Sequence, residues 1–216
     1  MSTTKRNCGF IGLGHLGVYL AASLVRAGHN VTITDLNKSL GDGLIAKGAK
    51  WANNAKEVAQ ASEVVFTCLP SPRAIESVVN GENGVLSGLA KGATWIDMST
   101  NDRSETLRLG EIATKLGFNS LESPVTGGVH KAAEGDITVL VGGDQKIFAA
   151  LLTIYYQDIP ADQQPAVLAE IIKKYKAKTP EAAFEKFAAE VFKRSIFTSK
   201  ERAAAFLANP TAKAYQ

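Results

Sequence analysis

Up to residue 143 the chain alternates between short apolar runs, rich in β-branched residues, and longer stretches whose apolar positions recur at helical spacing. The runs are "CGFIGL", "VTIT", "EVVFTCL", "TWIDM", "FNSLE" and "ITVLV", and the intervening segments include "LGVYLAASLVRAG" and "RSETLRLGEIATKLG". The first kind reads as strands and the second as helices. Strands separated by helices pair in parallel through right-handed crossovers, so the expected product is an α/β fold with a doubly wound, mostly parallel sheet.

After Gly143 the pattern changes. All 19 glycines fall at or before that residue, while four of the seven prolines (Pro160, Pro165, Pro180 and Pro210) come after it. The period is then helical throughout. In "TPEAAFEKFAAEVFKRSIF", Thr179 can cap with Pro180 at the first helical position, and Phe184, Phe187, Val191 and Phe192 share one face. Thr198 and Glu201 have capping-box spacing before "RAAAFLA", and Asn209-Pro210 ends that helix. The expected organisation is a sheet domain over residues 1–146 and an all-helical segment over 147–216.

Within the first part, "GFIGLGHLG" contains Gly12-x-Gly14-x-x-Gly17 between a predicted strand and a predicted helix. Asp35 closes the next strand, 18 residues beyond Gly17. That context makes the pattern a dinucleotide fingerprint of the Rossmann type. Gly12 permits the tight turn, Gly14 lets backbone reach a pyrophosphate, and Gly17 lets the helix pack on the strand, with its N-terminal amides facing the anion. His15 and Leu16 lie inside the same loop. Asp35 accepts hydrogen bonds from the adenosine ribose, which favours NAD because a 2'-phosphate beside a carboxylate is repelled. Lys38, close by in sequence, leaves NADP open.

In a parallel sheet every loop that follows a strand opens on the same edge, where ligands bind. Here those loops are Cys68-Leu69-Pro70, Asp97-Met98-Ser99-Thr100-Asn101 and Ser123-Pro124-Val125-Thr126-Gly127-Gly128. A hydroxyl-rich turn and a second glycine turn therefore face the first glycine loop. Amides at Gly127 and Gly128, with the Thr126 hydroxyl, suit a carboxylate.

Composition narrows the class. With 216 residues and 45% hydrophobic content the chain can build one sizeable core, and its apolar stretches are too short to span a membrane. "MSTTKRN" lacks the apolar core of a secretory signal, and cytoplasmic residence is expected. Residues 1–143 carry 13 basic and 13 acidic side chains against 11 and 8 in residues 144–216, so the net charge of +3 sits entirely in the second part. That small, scattered excess gives no basis for nucleic-acid binding. No metal site is expected. Cys8 and Cys68 fall at opposite ends of parallel strands, about 15 Å apart at about 3.3 Å per residue, which places them beyond disulfide reach as free thiols.

"GFIGLGHLG", "LVRAGHNVTITD", "TCLPSP", "WIDMSTND" and "SPVTGGVHKAAEGDITVLVGG", in this order over residues 7–145, resemble the motifs of the nicotinamide domain of the β-hydroxyacid dehydrogenases, in particular the 3-hydroxyisobutyrate dehydrogenase type. The resemblance implies hydride transfer between a nicotinamide and a small 3-hydroxy acid, or reduction of a small aldehyde acid. It assigns Gly12, Gly14, Gly17 and Asp35 to the dinucleotide, Leu69 and Pro70 to the loop beside the cofactor, and Thr100 to the nicotinamide. Thr126, Gly127 and Gly128 match the substrate-carboxylate motif, usually Ser-Gly-Gly; Thr keeps the hydroxyl and adds a methyl group that narrows the pocket. Glu122 stands for the common Asp, and Lys131 for a usual Gly.

The family's acid/base lysine lies in a stretch resembling G-x-x-x-x-x-K-x-x-x-N in a second, helical domain, and nothing in this sequence matches it. Without it, weak turnover is expected even with cofactor and substrate bound. Among the residues present, Lys131 reads as a solvated lysine, His15 as an exposed or electrostatic group beside the pyrophosphate, His29 as a helix-end cation, and His130 as structural. Residues 152–212 are similar to part of the helical insert of secreted bacterial dipeptidyl peptidases of the chymotrypsin-like class, but Ser195 and Ser199 have no histidine in that segment and carry no triad. The junction near 144–152 reads either as a fusion, natural or accidental, or as a diverged substrate domain. The helical segment's apolar faces require cover, on the sheet domain or in a homo-oligomer.

Overall fold

The structure is a computed structural model, and it describes residues 5–144, 146–148 and 151. The helices expected between Thr179 and Pro210, and Ser195 and Ser199 with them, lie outside the described residues.

The chain opens with strand β1 (Asn7–Ile11), helix α1 (Gly17–Arg26), strand β2 (Asn30–Thr34), a short helix α2 (Asp42–Ile45) and strand β3 (Lys50–Trp51). Helix α3 (Ala55–Gln60), strand β4 (Val64–Thr67), helix α4 (Pro72–Asn80), strand β5 (Thr94–Asp97), helix α5 (Arg103–Lys115) and strand β6 (Asn119–Glu122) complete the alternation. Two of these helices start on side-chain caps written in the sequence. Asn54 Oδ1 accepts the Glu57 amide at 2.9 Å, and Ser71 Oγ accepts the Ala74 amide at 3.3 Å with Pro72 in the first turn.

The sheet order is β3-β2-β1-β4-β5-β6, with a last strand β9 (Gly142–Gly143) beside β6. All ladders from β3 to β6 are parallel. The order reverses between β1 and β4, and that switch point is where such sheets open a crevice beyond their C-terminal strand ends.

Alternating residues along the strands feed two cores. On one face Phe10, Ile33, Phe66 and Ile96 pack with Leu20 and Leu24 of α1; on the other Ile11, Val65 and Trp95 pack with Val58, Ile75 and Leu109 from α3, α4 and α5. Phe10, Ile33, Ile75, Ile96 and Leu109 are fully buried, each contributing about 1.5–3 kcal/mol relative to exposure. The doubly wound expectation holds.

Two local features differ from the sequence reading. "ITVLV" is not a further strand of the parallel set. Thr138–Val139 forms β8, antiparallel to β7 (Val125–Thr126) in a separate two-stranded sheet, and only Gly142–Gly143 returns to the main sheet, antiparallel to β6. The cause is the turn after β6: the chain leaves the sheet at Pro124, whose carbonyl accepts the Leu140 amide at 2.9 Å, so the segment coming back is reversed. Strand β3 was not anticipated, because two residues make no apolar run. Between β7 and β8 lies helix α6 (Gly128–Glu134), whose buried Ala132 joins the core on the α1 side. Among the described residues no helix is long and apolar enough to cross a membrane.

Candidate functional site

The loops after β1, β2, β4 and β5 are tied into one structure by their own backbones. Gly12 donates to Thr34 O at 3.1 Å, Cys68 to Ile11 O at 2.9 Å, Met98 to Thr67 O at 2.8 Å, and Ser123 to Asp97 O at 2.6 Å. The sequence-predicted residues Gly12, Asp35, Leu69 and Thr100 therefore stand on one rigid edge, at the switch point.

Each glycine of the fingerprint has a distinct reason. Gly12 has φ +94, and a Cβ there would strike the Cys68 carbonyl and lie 3.0 Å from Leu69 Cδ2. A Cβ on Gly17 would overlap the Gly12 carbonyl oxygen and come within 3.3 Å of Phe10 Cε1. Gly14 is different: it is exposed, and a Cβ there meets no protein atom within 4 Å. Its glycine is not demanded by the fold, so the open space beside it suits a ligand that must touch backbone. Helix α1 begins at this point with no side-chain cap and no acidic residue in its first turn. Uncapped N-terminal amides beside an open glycine fit a pyrophosphate. His15 is exposed and Leu16 half-buried in the same turn.

Asp35, half-buried at the end of β2, accepts the Leu13 amide on Oδ2 at 2.6 Å and the Asn37 amide on Oδ1 at 2.8 Å. The carboxylate is thus locked to the glycine loop, and each oxygen retains lone-pair capacity for a hydroxyl donor. Lys38, which kept NADP open, has its ammonium 5.9 Å from the centre of the Trp51 ring. Leu36, between them, is fully exposed.

At β4 and β5 the Leu69 amide donates to Ser99 Oγ at 2.9 Å, and Pro70 and Thr100 are exposed. Asp97 is buried, which raises its pKa above the ordinary carboxylate value against the opposing hydrogen bonds from Ser99 and Thr67. Burial, with the Asp97 charge nearby, pushes the Cys68 thiol up to about 11; burial pushes Cys8 up to about 12. Both are free thiols, as expected, and neither is poised as a nucleophile.

Thr126, Gly127 and Gly128 are exposed, with φ +123 at Gly127 and +75 at Gly128, a conformation that leaves successive amides free to converge on an anion. Lys131 does not serve as a base: its Nζ is 2.7 Å from Asp136 Oδ2 and 3.4 Å from Glu134 Oε2, and the hydrogen bond to Asp136 holds its pKa above the usual lysine value. His130 Nε2 sits 3.1 Å from Glu134 Oε1 on the surface. His29 follows α1 at the opposite edge of the sheet, where its Nδ1 accepts the Arg6 amide at 3.3 Å and burial lowers its pKa. A cavity of about 390 Å³ also lies at that opposite edge, lined by Arg6, Glu63, Lys91, Thr94 and Asn119. It shares no residue with the loops above, and the site is assigned by the converging strand ends rather than by concavity. Among the described residues no group of three His, Cys, Asp or Glu is placed to hold a metal.

The sequence model of the NAD binding domain of 6-phosphogluconate dehydrogenase matches residues 7–157. The chain belongs to that family. This NAD-binding domain is 36% identical over 154 residues to the 2-(hydroxymethyl)glutarate dehydrogenase of Eubacterium barkeri, covering 70% of the chain and 51% of that protein. It is 37% identical over 147 residues to the 2-hydroxy-3-oxopropionate reductase of Escherichia coli K12, covering 68% and 50%. It superposes on the 3-hydroxyisobutyrate dehydrogenase of Mycobacterium tuberculosis, solved with L-serine, with a TM-score of 0.67 and 25% identity over 80% of the chain and 61% of that structure. The chain spans about half the length of the curated relatives it matches. The β-hydroxyacid dehydrogenase motifs read from the sequence and the family of the NAD-binding domain thus agree.

Sequence reasoning named Asp97 and Ser99 in a turn but missed their burial and their link to Thr67. Thr67, Asp97 and Ser99 form a hydrogen-bonded cluster, and the one signal was a carboxylate inside the apolar run "TWIDM".

Proposed function

We propose that this domain binds NAD(H) in preference to NADP(H) and presents it for hydride transfer with a small 3-hydroxy acid or aldehyde acid. The observation that carries the cofactor preference is Asp35: both carboxylate oxygens are fixed by backbone amides, and Lys38, the cation close by in sequence, has its ammonium over the Trp51 ring. A 2'-phosphate would meet an immobile negative charge there, whereas two ribose hydroxyls find acceptors.

The bound nicotinamide supplies the hydride acceptor or donor. In the oxidative direction the substrate's carbinol carbon gives up a hydride and its hydroxyl gives up a proton to water, leaving the carbonyl product. Thr126 and the amides of Gly127 and Gly128 hold the substrate carboxylate, Thr100 lies beside the nicotinamide, and the glycine loop with the start of α1 holds the pyrophosphate. The names of the relatives, a dehydrogenase and a reductase of small acids, support this substrate class. A general acid/base is worth about 10²- to 10⁴-fold in rate. Because no stretch of this sequence matches the family's lysine motif, turnover by the chain itself is slow. Cytoplasmic residence and self-association belong to the same proposal.

Binding without turnover is the second reading, favoured by that missing motif. The test is fluorescence titration of the purified chain with NADH and NADPH, repeated for Gly14→Asp, followed by hydroxy-acid oxidation before and after a family-type helical domain is joined behind Gly143. Tight, Gly14-sensitive NADH binding supports the site. A folded chain that binds neither dinucleotide refutes it, and a restored domain that fails to raise the rate refutes the missing-lysine account.

A further inference from the structure

Behind the Leu69–Pro70 loop lies a buried polar cluster to which the dinucleotide reading assigns no role. Asp97, the last residue of β5, is 3% exposed, and its register partner Thr67, the last residue of β4, is wholly buried. Thr67 Oγ1 donates to Asp97 Oδ1 at 2.9 Å and accepts the Trp95 indole N–H at 3.0 Å. Ser99, itself buried, gives its backbone N–H to the same Asp97 oxygen at 3.1 Å.

A serine hydroxyl has one proton and two lone pairs. The Leu69 amide can only donate, and Ser99 Oγ accepts it at 2.9 Å. The Asp97 carboxylate takes two donors on one oxygen, the Thr67 hydroxyl and the Ser99 amide, and the second fixes the backbone that carries Ser99 Oγ. An amide at the same place could keep both bonds on its oxygen but would bury an NH2 in place of the second carboxylate oxygen. Leu69 is also the residue whose side chain lies against the Gly12 turn. The bonds made at the end of β5 therefore lead through Ser99 to a backbone amide at the cofactor edge. Burying a charge here is costly and is poorly explained by stability alone, since apolar packing does that work at lower cost.

We propose that Asp97, acting through Ser99, is a positioning residue that holds the Leu69–Pro70 backbone against the glycine loop in the shape that receives the nicotinamide half of the dinucleotide. The inference rests on the dinucleotide reading above. Sheet order separates the two halves of the ligand: Asp35 follows β2 and the Leu69 loop follows β4, on the other side of β1, so adenosine lies towards the one and the nicotinamide towards the other.

The experiment titrates wild type, Ser99→Ala and Asp97→Asn with NADH and, separately, with AMP, folding being checked by circular dichroism. Losing one well-made hydrogen bond to the loop is expected to weaken NADH about fivefold to tenfold in Ser99→Ala and by less in Asp97→Asn, while AMP affinity stays within about twofold. A general loosening of the fold lowers both ligands together, so parallel losses overturn the inference. Unchanged NADH binding in both variants overturns it as well. If Asp97→Asn does not fold, Ser99→Ala alone decides. A wild-type chain that binds neither ligand overturns the dinucleotide reading and this one with it, whereas wild-type binding with unaltered variants removes only this one.

Discussion

Replacing Gly14 and Gly17 by alanine, one at a time, separates what the glycine loop does for folding from what it does for a ligand. At Gly17 the new methyl overlaps the Gly12 carbonyl oxygen and lies 3.0 Å from its carbon. Both are backbone atoms of a turn that is itself fixed to Thr34 O, so no side chain can rotate away. Relief requires α1 to move off β1 by something on the order of 1 Å, and overpacking of this kind costs about 1–3 kcal/mol. For a folded unit of this size that is a fall in Tm of about 2–12 °C. At Gly14 the methyl meets nothing within 4 Å and the backbone is not in the left-handed region, so stability should change by less than about 0.5 kcal/mol. The dinucleotide behaves differently, because the added carbon occupies the path by which its pyrophosphate reaches the amides of α1. Gly14→Ala should then weaken NADH at least about tenfold, a loss of about 1.4 kcal/mol. Thermal melts by circular dichroism and NADH fluorescence titrations read the two quantities. The reasoning fails if Gly14→Ala melts as low as Gly17→Ala, or if it binds NADH as wild type does.

Other outcomes follow from the same geometry. Asp35→Ala should narrow the preference for NADH over NADPH by about tenfold through loss of the repelling charge, and should destabilise the chain by about 1–3 kcal/mol because the Leu13 and Asn37 amides lose their acceptor; competitive titration and urea melts measure both. Asp97 carries a pH signature. Burial holds its folded-state pKa above the unfolded one, so the folded state binds the extra proton in the window between them, and this group's contribution to stability falls as pH rises through that window. Relative to wild type, Asp97→Asn should therefore fare best near neutrality and lose ground as the pH is lowered towards the ordinary carboxylate range; urea melts showing the opposite drift would contradict the burial. Native protein should react only slowly with a thiol reagent near pH 8, because Cys68 and Cys8 are pushed up to about 11 and about 12, while unfolded protein should expose both cysteines at ordinary rates. A fast native reaction would show that the strand ends open more readily than their packing implies.

The parts of the fold that were legible in the sequence are those where one local rule suffices. Runs such as "EVVFTCL" between amphipathic segments specify parallel strands because helices must cross between them, and β1, β2, β4, β5 and β6 all lie where those runs fall. The glycine loop was readable for the same reason, since a strand, a turn and a helix fix its conformation nearly unaided. "ITVLV" was misleading because a short β-branched run states that a segment is extended but not which neighbour it meets or in which direction; the turn at Pro124 decided that. Asp97 was read as part of a hydroxyl-rich turn, and only the register of β5 against β4 places it beside Thr67. Its burial is a property of two strands together, which no single stretch of sequence contains. Lys38 shows the same limit: proximity in sequence kept NADP open, whereas Trp51, brought alongside by β3, is what engages its charge.

The described sheet ends on both sides in strands of two residues, Lys50–Trp51 and Gly142–Gly143. An edge that short offers too few free amides and carbonyls to template a neighbouring chain, and one of the two carries a lysine while the other has no side chains to interdigitate. Among the described residues, growth by strand addition, the route that turns open sheets into fibrils or swapped dimers, is therefore disfavoured at both margins of the main sheet, which leaves the helical faces as the larger surface for self-association.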